Sequence, residues 1–127
     1  SFRHAIELPE DLEVPMDEAL ACRALENLIG NAIRYTGEGG SIELRAELEG
    51  GVPVISLRDT GIGIPAEDLP RIFDPFYRGT NSRREQGFGL GLATVKSIVE
   101  SHGWTIGVSS EVGRGTTFRI AMGKGPS

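Results

Sequence analysis

From Asp17 onward the chain places apolar residues in adjacent pairs that repeat every four positions: Leu20 and Ala21, Ala24 and Leu25, Leu28 and Ile29, Ala32 and Ile33. Such a repeat fits a helix and not a strand, whose period of two would scatter the pairs over both faces. Asp17 is a good N-cap and Gly37 a stop, so the spacing predicts an amphipathic helix between them. Its wide apolar stripe must be covered by another layer of structure.

The rest of the chain supplies that layer. Ile42, Leu44, Ala46 and Leu48 alternate with polar residues, Glu49-Gly50-Gly51 makes a turn, and residues 52 to 58 continue as a second strand ending at Asp59. Pro53 confines the start of that strand to an edge or an unpaired position. A second hairpin reads from Trp104 to Ser109, through Gly113 and Gly115, to Thr116 to Ala121. Two further short strands are expected within residues 2 to 16, where Ile6 and Leu8 alternate before Pro9, and Leu12 and Val14 before Pro15. Leu92, Val95, Ile98, Val99 and His102 give a second long helix stopped by Gly103. Between Thr60 and Leu90 only a short helix near Ala66 to Phe73 is expected, and a loop of that length inside a compact domain is usually functional. Two hairpins with two long helices inserted predict a single α+β domain over residues 1–127, a two-layer sandwich with helices on one face.

Charge and composition exclude several roles. A net charge of −5 argues against nucleic-acid binding, which needs a basic face to displace counterions. The one cysteine, Cys22, cannot form an internal disulfide and reads as packing. No apolar run approaches the length of about 20 residues that spans a bilayer, so direct membrane insertion is not expected and a cytoplasmic location is.

Three clusters carry chemistry. At about 100° per residue, Asn27, Asn31 and Arg34 share an arc of the first helix, with Tyr35 on its flank. Asparagine competes for backbone groups in a helix, so two of them beside the core call for a reason. Either they are solvated edge residues, or their amide oxygens face a cavity. There they would suit Mg²⁺, with Arg34 available to phosphates. The second cluster is Asp59-Thr60-Gly61-Ile62-Gly63-Ile64-Pro65. It imitates the dinucleotide fingerprint but lacks the long helix and parallel strand that fingerprint needs. Its carboxylate repels pyrophosphate and suits the amino group of adenine, while guanine would present a carbonyl oxygen there. The third is Gly87-Phe88-Gly89-Leu90-Gly91-Leu92, which is neither a Walker loop nor a dinucleotide loop.

In order, the chain reads Leu25-Glu26-Asn27-Leu28-Ile29-Gly30-Asn31-Ala32-Ile33-Arg34-Tyr35-Thr36, then Asp59-x-Gly61-x-Gly63, Phe73-Asp74-Pro75-Phe76-Tyr77-Arg78, Gly87-x-Gly89-x-Gly91-Leu92 and Gly113-Arg114-Gly115-Thr116-Thr117-Phe118. This resembles the catalytic and ATP-binding domain of bacterial sensor histidine kinases, with N, G1, F and G2 boxes in that order. The resemblance implies a Bergerat fold, a mixed sheet with helices on one face, holding ATP and Mg²⁺ under a mobile lid at about residues 77–90. It implies that Asn31 coordinates Mg²⁺, that Asn27 and Arg34 lie at the phosphates, and that Tyr35 stacks on adenine. Asp59 would accept from the adenine amino group, with Gly61, Gly63, Ile64 and Thr116 around it. Phe73 and Phe76 would pack the base of the lid. Arg78, Arg83 and Arg84 would be candidates to neutralise the transferring phosphate, Arg84 in a catalytic role, and Gly87, Phe88, Gly89, Leu90, Gly91 and Leu92 would form the hinge on the phosphate side.

Neither His4 nor His102 stands in an acceptor-histidine setting. The phospho-acceptor is therefore expected in a dimerisation domain preceding Ser1, through which alone the chain would dimerise, with a response regulator as the onward partner and a membrane-anchored sensor as the whole. Two rivals are a related ATPase or anti-sigma serine kinase, and a nucleotide-sensing module without catalysis. The first uses a glutamate four residues before the metal-binding asparagine, a position held here by Asn27, with Glu26 about 100° round the helix.

Overall fold

The computed structural model describes residues 16–37, 39–74 and 89–123. The first helix, α1, runs from Glu18 to Thr36, with the Asp17 carboxylate accepting the Leu20 N–H at 3.1 Å and Gly37 closing it at φ 74°. Ala21, Ala24, Leu25, Leu28 and Ala32 are buried. Leu20 and Ile33, the outer members of the apolar pairs, stand 36% and 63% exposed, because the pairs span a wider arc than the sheet covers.

Strands β1 (Ile42–Glu49) and β2 (Val52–Asp59) form the first hairpin, in register from Ile42 opposite Asp59 to Glu49 opposite Val52. Strands β3 (Thr105–Glu111) and β4 (Gly115–Ala121) form the second. The order is β1-β2-β4-β3 and every described pairing is antiparallel. Each hairpin is antiparallel by construction, and β2 meets β4 antiparallel as well; any strand that would make the sheet mixed is expected within residues 2 to 16 and falls outside these four. Pro53 sits where the β2–β4 ladder has not begun, since pairing with β4 starts at Val54 and the Pro53 carbonyl accepts from Met122 N–H at 2.8 Å. The two strands expected within residues 2 to 16 fall almost wholly on residues 1–15, outside the described residues.

After β2 the chain makes a 3₁₀ turn at Leu69–Arg71 in place of the expected helix from Ala66 to Phe73. Three successive i to i+3 bonds at 2.9 Å, Asp68 to Pro65, Arg71 to Asp68 and Asp74 to Arg71, set the tighter winding. Pro70 lacks the N–H that an α-helix starting at Ala66 would bond to the Ala66 carbonyl. The second long helix, α2, spans Gly89–Ser101 and so begins inside the last two residues of the expected lid.

Both helices pack on one face of the sheet. Leu28, Ile72, Leu92, Val95 and Val99 meet Ile55, Leu57, Phe118 and Ile120 there, each burial contributing about 1.5–3 kcal/mol. The other face is charged, with Arg45 paired to Glu43 at 3.0 Å and Arg119 paired to Glu49. His102 joins the two helices at one end. Its Nε2 accepts the Asp17 N–H at 2.9 Å, its Nδ1 faces the Ile98 carbonyl at 2.8 Å, and its ring stacks on Trp104 at 4.3 Å.

Candidate nucleotide-binding site

Residue Asp59 closes β2 at the end of the sheet nearest the α1 C-terminus, and it is only 7% exposed. Burial pushes its carboxyl above the usual aspartate range, while the Gly61 and Thr116 backbone N–H groups pull it back; the Gly61 bond is 2.8 Å. An ionisable acceptor held in a buried turn is what recognition of an amino group requires. The loop after Asp59 is fixed on both sides. Ile62 N–H donates to the Tyr35 carbonyl at 3.3 Å, and Gly113 N–H donates to the Ile62 carbonyl at 2.9 Å. A Cβ on Gly61 would lie 2.4 Å from the Tyr35 oxygen, and one on Gly63 2.2 Å from the Glu111 oxygen. These glycines are therefore demanded by backbone packed against backbone within the protein.

Asn31, Ala32, Tyr35, Asp59, Gly63, Ile64, Leu92, Thr116 and Phe118 line one cavity, with about 20 Å³ free, room for roughly one water. A purine entering it must part these walls. Tyr35 is half-buried, and desolvation raises its hydroxyl pKa against the pull of Arg34. Arg34 itself is exposed.

The two asparagines face α2. Asn27 Nδ2 donates to the Gly91 carbonyl at a long 3.4 Å. Asn31 Nδ2 is buried with no hydrogen-bond partner among the described residues, and a Cβ on Gly91 of α2 would lie 3.8 Å from it. An orphaned buried amide is costly unless a ligand or a residue beyond those described completes it. Its oxygen is a hard neutral donor for Mg²⁺ and its NH₂ can donate to a phosphate oxygen. No group of three or more His, Cys, Asp or Glu stands ready to hold a metal among the described residues, so such an ion would rely on Asn31, water and phosphate. That donor set fits Mg²⁺.

The structure thus brings Asn31, Tyr35, Asp59, Gly63, Ile64, Leu92 and Thr116 to one cavity, with Gly61 in the adjoining turn and Asn27 and Gly91 beside it. Gly89 and Leu90 begin α2. Phe76, Arg78, Arg83, Arg84, Gly87 and Phe88 lie outside the described residues. Ser110 is a participant that the sequence does not single out: its hydroxyl accepts the Ile64 N–H at 2.7 Å and touches Thr116 Oγ1 at 2.8 Å.

Residues 16–125 match the family model described as histidine kinase-, DNA gyrase B-, and HSP90-like ATPase. The chain belongs to this family. As a member it is an ATP-binding domain, and its relatives place it with the histidine kinases. It is 41% identical over 116 residues to the sensor-like histidine kinase SenX3 of Mycobacterium tuberculosis, covering 90% of this chain and 28% of that protein. To the sensor histidine kinase WalK of Bacillus subtilis it is 41% identical over 122 residues, covering 91% of this chain and 20% of that one. The chain therefore spans between a fifth and a third of the length of these relatives. Among solved structures, the mycobacterial sensor histidine kinase MprB superposes with a TM-score of 0.78 at 30% identity, covering 90% of this chain and 78% of that one. The catalytic domain of the histidine kinase ThkA superposes with a TM-score of 0.75 at 33% identity, covering 93% and 76%. The four-stranded antiparallel sheet under two helices is thus the α+β fold of histidine kinase catalytic domains.

Proposed function

We propose that this domain binds Mg-ATP between Asp59 and Asn31 and donates the γ-phosphoryl group to a histidine on a separate dimerisation domain, for onward transfer to an aspartate of a response regulator. The observation that carries the reading is one cavity with a buried carboxylate acceptor at one end and, at the other, a buried amide without a partner among the described residues. Asp59 takes the adenine amino group, Tyr35 lies against the base, and Thr116 and Ile64 complete the pocket around it. Asn31 holds Mg²⁺, with Asn27 and Arg34 at the phosphates and Arg78 and Arg84 completing the charge from the lid. Bound Mg²⁺ would supply neutralisation of the phosphate oxygens. An imidazole nitrogen of the acceptor forms the new N–P bond, the bond from the γ-phosphorus to the ADP oxygen breaks, and the imidazole proton leaves to solvent.

Transfer is favoured over hydrolysis by the residue four positions before Asn31. A water-activating carboxylate is absent there; the position is Asn27, bonded to Gly91, and Glu26 is exposed to solvent. Among the described residues no helix is long and apolar enough to cross a membrane, and any membrane anchor of a sensor kinase belongs to other segments. Incubation of the domain with its acceptor-histidine domain and γ-labelled ATP tests the proposal. Acid-labile, base-stable label on the acceptor is expected; rapid phosphate release abolished by Glu26→Gln, with no label on the acceptor, would replace transfer with hydrolysis.

A further inference from the structure

Between the Asp59 loop and the second hairpin, Ser110 stands at the centre of three hydrogen bonds. Its Oγ accepts the Ile64 N–H at 2.7 Å, donates to the Gly115 carbonyl at 2.9 Å and lies 2.8 Å from Thr116 Oγ1. Ser110 and Thr116 are cross-strand partners on β3 and β4, and Thr116 is also paired across to Asp59 on β2. Thr116 is 7% exposed and lines the cavity with Asp59.

Counting protons decides which way the Thr116 hydroxyl points. A serine hydroxyl has one proton and can accept two bonds. The Gly115 carbonyl can only accept, so the Ser110 proton goes to it. The Thr116 contact must then run the other way, with Thr116 donating to Ser110. That leaves Thr116 Oγ1 with only lone pairs for the cavity. Beside it stands Asp59, whose ionised carboxylate also only accepts. The pocket edge is therefore acceptor-only, a match for an exocyclic amino group and a mismatch for a carbonyl oxygen.

We propose that Ser110 is a specificity-determining positioning residue: by taking the Thr116 proton it locks Thr116 as an acceptor and so extends the selectivity of Asp59 for amino-bearing purines. This rests on the adenine reading of the Asp59 pocket. Sequence offers little sign of it, since a serine in an alternating strand is ordinary.

Binding of ADP and of IDP, which carries a carbonyl oxygen in place of the amino group, tests the inference by calorimetry on the whole chain. In Ser110→Ala the Thr116 hydroxyl is released to donate into the cavity, and the ADP-to-IDP affinity ratio should narrow by about tenfold, chiefly through better IDP binding. Ser110→Thr, which keeps the hydroxyl, should restore the ratio. In a Thr116→Val background Ser110→Ala should leave the ratio unchanged, because Ser110 acts through Thr116. Should Ser110→Ala fail to fold, Thr116→Val alone still reads the polarity: losing an acceptor weakens ADP more than IDP, and losing a donor does the reverse. A ratio unaltered in folded Ser110→Ala, or Thr116→Val weakening IDP more, overturns the role of Ser110 while leaving Asp59 in place. Wild-type protein with no preference between ADP and IDP overturns the adenine reading itself, and this inference with it.

Discussion

At the Asp59 end of the cavity the chain ties its polar groups to one another: Gly61 N–H to Asp59, Ile64 N–H to Ser110, Gly113 N–H to the Ile62 carbonyl. At the Asn31 end the same fold leaves a buried amide nitrogen without a partner among the described residues and gives Asn27 one long bond to Gly91. The first end is finished by the protein alone, and its glycines are where backbone presses on backbone. The second is left open by the described residues. On the proposed binding mode the polar groups that read the base are fixed before it enters, although the cavity walls must part to admit it, and the phosphate end takes its final form with the ligand.

The largest expected effect lies at the finished end. Gly63 has φ of +79° and a Cβ there would lie 2.2 Å from the Glu111 oxygen, so Gly63→Ala should lose on the order of 3 kcal/mol or more in urea unfolding. Gly30 in α1 has nothing within 4 Å, and Gly30→Ala should gain up to about 1 kcal/mol. Equal stability in the two variants would break the contrast between a jammed loop and an open helix face.

At the unfinished end, Asn31→Ala should abolish the Mg²⁺-dependent part of ATP affinity, about tenfold or more. Its unfolding free energy should stay within about 1 kcal/mol of wild type, because the amide nitrogen has no partner to lose among the described residues. Titration of ATP with and without Mg²⁺, beside a denaturation curve, separates the two. Large destabilisation with intact Mg²⁺ dependence would move Asn31 from the site to the scaffold.

A smaller effect sharpens the comparison through pH. Burial raises the Asp59 pKa above its ordinary value, so the ionised form is penalised in the folded chain. That penalty is present above the shifted pKa and disappears as pH falls through it toward the ordinary value, so this group's contribution to stability rises on acidification. ADP affinity should fall over the same window, because a protonated carboxyl is a poorer acceptor for the amino group. Measured against Asp59→Asn, which does not titrate, wild type should gain stability and lose affinity as pH falls, and a parallel fall in both would contradict the assignment.

Much of this was legible in sequence for physical reasons. The paired period of four placed α1 within its caps, and strict alternation with glycine turns placed both hairpins. Asn31, Asp59, Gly63 and Thr116 could be named because most of them break a local rule: an amide beside a core stripe, a carboxylate ending an apolar strand, glycines in a tight turn. Other features depend on which elements meet. Leu20 and Ile33 are exposed because the sheet is narrower than the stripe, the tight winding at Leu69–Arg71 goes with Pro70 in its middle, and the two hairpins join antiparallel because β2 meets β4 that way. Ser110 acquires its role only when β3 is set against β4 and against a loop 46 residues away.

The central claim is that a buried carboxylate reads the base. With the Gly61 N–H held by the amide oxygen, Asp59→Asn would turn its NH₂ toward the adenine amino group, donor against donor. Calorimetry of ADP binding to this variant, with circular dichroism on the same sample, should show affinity lower by at least about tenfold with the fold retained. Unchanged affinity in a folded Asp59→Asn domain would contradict the account.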